Sequence, residues 1–66
     1  MIRSNLKEIM EKQGVTIKRM VNDTGLAEMT LIRARREQIA QCRLETLVII
    51  TKYLGCTVND LFSETV

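Results

Sequence analysis

The sequence has no proline, tryptophan or histidine, and only one tyrosine, one phenylalanine, two cysteines and three glycines among 66 residues. Without histidine the commonest general base is missing, and no serine or cysteine sits in a recognisable nucleophile motif, so nothing supports an enzyme or a bound cofactor. A zinc site needs about four closely spaced ligands. Cys42 and Cys56 alone, with no Cys-x-x-Cys, do not supply them, so no metal is expected. The two cysteines read better as buried thiols than as a disulfide, since nothing places them in an oxidising compartment. No apolar run approaches the roughly 18 residues that span a bilayer, and the N-terminus lacks the apolar segment of a secretory signal. The expectation is a cytoplasmic protein with no membrane partner.

What remains is a chain with 45% apolar and 27% charged residues. That balance suits a small helical domain better than disorder. Sixty-six residues make one domain, near the lower limit for a core without staples. The net charge is only +2, but its distribution is uneven. Arg33, Arg35, Arg36 and Arg43 stand against Glu37 alone, whereas residues 57–66 carry only Asp60 and Glu64.

Five short helices are expected, hence an all-α fold. Ser4 is placed to cap the first, of about ten residues, with Leu6, Ile9 and Met10 on its inner face and Gly14 as its stop. Thr16 caps a second, two-turn helix with Ile17, Met20 and Val21 inward and Gly25 at its end. In the third, Leu31 and Ala34 form a narrow inner face, and Glu28, Met29, Ile32, Arg33 and Arg36 lie outside. Gln38–Gln41 reads as a loop without the usual glycine or proline. Leu44 to Leu54 is the strongest helix, stopped by Gly55. The Thr57-Val58-Asn59-Asp60 segment resembles a capping box that opens a fifth helix through Leu61 and Phe62.

The second and third helices, about residues 16–36, are separated by some three residues containing Gly25. They have the length and turn chemistry of a helix-turn-helix. The stretch AEMTLIRARR, residues 27–36, is the second helix of that pair. Its terminal arginines have two readings: compensation of the helix dipole, or contacts to DNA. Met29 and Ile32 likewise suit either packing against loops or contact with thymine methyl groups.

Taken in order, LKEIMEKQGVT (residues 6–16), the TGL turn (24–26), TLIR (30–33) and LETLVIITKYLGCTVNDLF (44–62) resemble the Cro and phage-repressor, or Xre, family. The last segment is the most specific. The resemblance implies a five-helix, lambda-repressor-like domain that binds double-stranded DNA sequence-specifically, most simply a repressor acting as a homodimer on a pseudo-palindromic operator. Carried residue by residue, it implies base contacts from Glu28, Met29, Thr30 and Arg33. It also implies phosphate contacts from Thr16, Lys18, Arg35, Arg36 and Arg43, with the helix N-terminus at Arg43–Thr46.

The sequence departs from the family in three places. Ile17 stands where glutamine is common, Ala27 where serine or threonine usually caps the recognition helix, and Arg36-Glu37 where Asn-Gly is usual. Ile17, Ala27, Glu28 and Met29 each remove something useful on a phosphate-lined surface. They favour the alternative, a protein-interaction module such as an antirepressor on the same fold. Val48, Ile49 and Ile50 make the fourth helix apolar on more than one face. With Tyr53, Leu61, Phe62 and Val66 they suggest a self-association surface, among which Ile49, Tyr53, Leu61, Phe62 and Val66 are the dimer candidates; a broadly buried central helix is the other reading.

Overall fold

Three of the helices in the computed structural model, which describes residues 1–64, stop at a left-handed glycine, Gly14, Gly25 or Gly55. The order is β1 (Ile2–Ser4), α1 (Leu6–Gln13), α2 (Ile17–Thr24), α3 (Glu28–Ala34), a 3₁₀ turn (Glu37–Gln41), α4 (Leu44–Leu54), a second 3₁₀ turn (Val58–Leu61) and β2 (Phe62–Glu64). Among the described residues no helix is long and apolar enough to cross a membrane.

This arrangement corrects the five-helix, all-α expectation in three places. The expected fifth helix is the turn Val58–Leu61, followed by a strand. Its capping box is present, with the Thr57 N–H donating to Asp60 Oδ2 at 3.0 Å. The Leu61 carbonyl, however, accepts from Asn5 N–H at 2.8 Å, and Phe62 leaves at φ −144° and ψ 158°. Pairing with the chain's other end replaces further helix.

Ser4 is the last residue of β1, and Asn5 takes the N-cap position of α1. The Ser4 hydroxyl donates to the Ala34 carbonyl at 2.5 Å and accepts from Leu6 N–H at 3.2 Å, so it links the sheet, the start of α1 and the end of α3. Gln38–Gln41, expected as a loop, belong to a 3₁₀ turn over Glu37–Gln41, in which Ile39 anchors in the core at 2% exposure. Ile39 N–H donates to Arg36 O at 3.0 Å, and Cys42 N–H to Ile39 O at 3.1 Å. Those three-residue steps define the turn.

Leu6, Met10, Met20, Leu31, Ile50 and Leu61 are fully enclosed, so every α-helix and the second turn contribute to one core. α3 is seven residues long, too short to persist alone. Its inner pair, Leu31 and Ala34, is completely buried, as the spacing predicts. Burying Leu31 alone is worth about 1.5–3 kcal/mol. Leu61 is likewise inside the core at 0% exposure, which removes it from the dimer candidates. Cys42 and Cys56 are free and half-buried rather than fully buried, each thiol held above its usual pKa chiefly by burial.

In the antiparallel sheet Ile2 faces Glu64, Arg3 faces Ser63 and Ser4 faces Phe62. Because Asn5 N–H bonds to Leu61 O in this register, Arg3 and Ser63 form the next hydrogen-bonded pair. The backbone groups of Phe62 and Glu64 therefore point away from β1. Ile2 and Phe62 also line an apolar groove with Leu44, Leu47 and Val58. Leu44, the first residue of α4, is 66% exposed at its rim.

Candidate nucleic-acid interface

The α2–α3 turn is built from local chemistry. Thr24 Oγ1 donates back to Met20 O at 2.6 Å and accepts from Leu26 N–H at 3.2 Å. Gly25 supplies φ +76°, a conformation that a Cβ would strain, and its N–H closes α2 on Val21 O at 3.0 Å. At the other end of α2, Thr16 Oγ1 accepts from Arg19 N–H at 3.1 Å, which makes Thr16 the expected N-cap. α3 opens at Ala27 with no side-chain cap.

One further contact fastens α2 to α4, and another fastens α1 to α4. Tyr53 on α4 donates to Asp23 Oδ2 at 2.5 Å, and Arg19 approaches the same carboxylate oxygen at 3.7 Å. On α1, Gln13 Nε2 donates to Leu54 O at 2.8 Å.

The outer face of α3 contributes to a concave surface lined by Thr30, Arg33, Gln38, Gln41, Cys42, Arg43 and Thr46. It brings together one expected base contact from the middle of α3, a second one turn later, and the expected phosphate contact Arg43 at the start of α4. Among the described residues no carboxylate lines it. Arg33 lies close enough to Cys42 to oppose the effect of burial on its thiol.

Arg35 and Arg36 are placed elsewhere. They line an adjoining depression with Lys7, Ile17 and Ile32, and Arg36 continues into a third with Glu37, Gln38 and Gln41. The three depressions share residues and make one band carrying Lys7, Arg33, Arg35, Arg36 and Arg43, with Glu37 as the carboxylate along it. Lys18 is exposed on α2 and lines none of them. Glu28 and Met29, the other expected base contacts, also line none; Met29 is 54% exposed on the first turn of α3.

Sequence reasoning missed Lys7, Gln38 and Gln41. For the glutamines a signal was present: Gln38 and Gln41, and Ile39 and Cys42, each recur at a spacing of three, the 3₁₀ period. Lys7 gave none, since a lysine in the first turn of a helix reads as ordinary surface.

No curated protein matches this sequence. The model of a family described as a Cro/C1-type HTH DNA-binding domain matches residues 5–64, which spans α1 through β2 and includes every residue of the band. The chain therefore belongs to the Cro/C1-type helix-turn-helix DNA-binding domain family.

Proposed function

We propose that this DNA-binding domain is a sequence-specific regulator of transcription that works as a repressor. The observation that carries the reading is the concavity, free of carboxylates among the described residues, in which Thr30 and Arg33 of α3 meet Arg43 and Thr46 of α4. Arginine pairs with guanine O6 and N7 in the major groove, and threonine serves either bases or phosphate. Arg43, Arg36, Arg35, Lys18 and the Thr16 hydroxyl supply phosphate contacts that set register without reading sequence. The N-terminal amides of α4 at Arg43–Thr46 add a favourable dipole for phosphate. Glu28 and Met29 complete the groove face, Glu28 as an acceptor for a cytosine amino group and Met29 against a thymine methyl. A domain this size blocks polymerase simply by occupying its site in the cytoplasm.

A homodimer fits the small footprint, since two-fold pairing on half-sites roughly 34 Å apart raises both affinity and specificity. Support comes from the outward backbone groups of Phe62 and Glu64 and from the exposed Leu44 beside them. An antiparallel pairing of β2 with its symmetry mate about Ser63 satisfies those groups reciprocally. Ile49, at 41% exposure, offers further apolar surface, and Tyr53 is held by Asp23. Val66 lies outside the described residues.

The second reading, a protein-interaction module, is favoured by Glu28 and Met29 standing outside the cationic band. Selection of bound duplexes from a random pool separates the two. The regulator reading expects a palindromic consensus, and Arg33→Ala should cost about 1–3 kcal/mol on that site while relaxing one base position. A pool with no enrichment would support the interaction module.

A further inference from the structure

The 3₁₀ turn between α3 and α4 brings two neutral amides to the edge of the cationic concavity, and we infer that Gln38 and Gln41 form a second base-reading element, selective for adenine beside the base contacted by Arg33. This rests on the DNA-binding reading above. In a 3₁₀ turn residues three apart eclipse one another. Gln38 and Gln41 therefore stack on one edge, while Ile39 and Cys42 stack on the inner edge, where Ile39 is 2% exposed. The turn is fixed from within. Besides the two backbone bonds through Ile39, the Cys42 thiol donates to Gln38 O at 3.7 Å. The backbone that carries the amides is held by the core.

The two side chains themselves have no hydrogen-bond partner among the described residues, in contrast to Gln13, whose amide is tied to α4. Both line the same surface as Thr30, Arg33 and Arg43, and both also border the shallower depression with Arg36 and Glu37. Their chemistry separates a base from a phosphate. A glutamine amide presents a donor and an acceptor together, which matches the N6 donor and N7 acceptor of adenine in the major groove. A phosphate offers acceptors only and rewards positive charge. With Arg33, Arg36 and Arg43 already beside the turn, a neutral amide adds little to phosphate affinity. Adenine uses both halves of it.

The experiment compares the wild-type chain, Gln38→Ala, Gln41→Ala, the double variant and Arg33→Ala. Each is titrated against the duplex selected from a random pool and against mixed-sequence duplex, at two salt concentrations. The expected result is a loss of roughly 5- to 150-fold for at least one glutamine variant on the selected duplex only. The salt slope should be unchanged, and repeating the selection should relax one A·T position. Equal loss on both duplexes makes the glutamines phosphate contacts, and no loss makes them bystanders; either overturns the inference. If Arg33→Ala loses specific binding while the glutamine variants do not, the inference fails and the DNA-binding reading stands. If wild type binds neither duplex, both fail. Unchanged thermal unfolding of the variants, both residues being exposed, shows that folding is not the cause of any loss.

Discussion

Tyr53 on α4 donates its hydroxyl to Asp23 on the last turn of α2, 2.5 Å away, and so fastens the first helix of the helix-turn-helix to the central helix. The bond to Asp23 holds the Tyr53 pKa above its ordinary 10.0, with partial burial and the Asp23 charge adding to it. The folded state therefore keeps the phenol proton more tightly than the unfolded chain does. The stabilisation is fully present below about pH 10, the unfolded value, and is lost as pH rises through the folded value. Tyr53→Phe should lower the melting temperature at neutral pH, and the gap from wild type should shrink in alkali. A gap unchanged at high pH would show that Asp23 does not hold the phenol.

Leu31 is the one large side chain by which α3 is fully anchored. Leu31→Ala should cost about 2–5 kcal/mol, a large share of the stability available to a domain of this size. Urea unfolding followed by circular dichroism gives the value. A loss below about 1 kcal/mol would mean that the short helix is held by something other than this contact.

Ala27 occupies the N-cap position of α3 at φ −67° and ψ 144°, the extended geometry from which a hydroxyl side chain caps. Ala27→Ser should add about 0.5–2 kcal/mol by satisfying an amide at the start of the helix. Chemical denaturation of the two proteins side by side checks this. No gain would mean that those amides already have partners.

The helices are largely legible in the sequence because their signals are local. Gly14, Gly25 and Gly55 stop helices where expected, Thr16 caps α2, and the Thr57–Asp60 box forms. The sheet was not legible. Three-residue strands carry too few side chains for a period of two to show, and β1 and β2 come from opposite ends of the chain. Ser4 precedes an apolar run, the usual place of a capping serine, and its hydroxyl does accept from Leu6 N–H, but it also reaches Ala34, a contact only the tertiary fold provides. Leu61 shows the same limit from another side. In a short terminal segment an apolar residue signals burial or association equally, and packing assigned it to the core. Of the candidate site, the sequence identified Thr30, Arg33 and Arg43, whereas the 3₁₀ turn that seats Gln38 and Gln41 between them depends on Ile39 being drawn inward.

Ser63 gives a direct test of the proposed dimer. In a β2–β2 pairing centred on it, the two Ser63 residues form a non-hydrogen-bonded pair with Cα atoms about 4.5 Å apart, within disulfide range. Ser63→Cys, combined with Cys42→Ala and Cys56→Ala, should cross-link readily under mild oxidation and give twice the 7.6 kDa mass. A protein that stays monomeric, by non-reducing electrophoresis and by light scattering, would rule out this edge as the interface.

The central claim is that the band from Lys7 through Arg33 to Arg43 meets the phosphates and bases of duplex DNA. Its most direct test is the affinity of the full chain for mixed-sequence duplex, measured by fluorescence anisotropy at low and at physiological salt. Binding should be present at low salt and should weaken steeply, with log affinity falling by about 0.9 per log unit of salt for each phosphate contacted. No binding even at low salt would contradict the account and leave the exposed Glu28 and Met29 as the face of a protein partner.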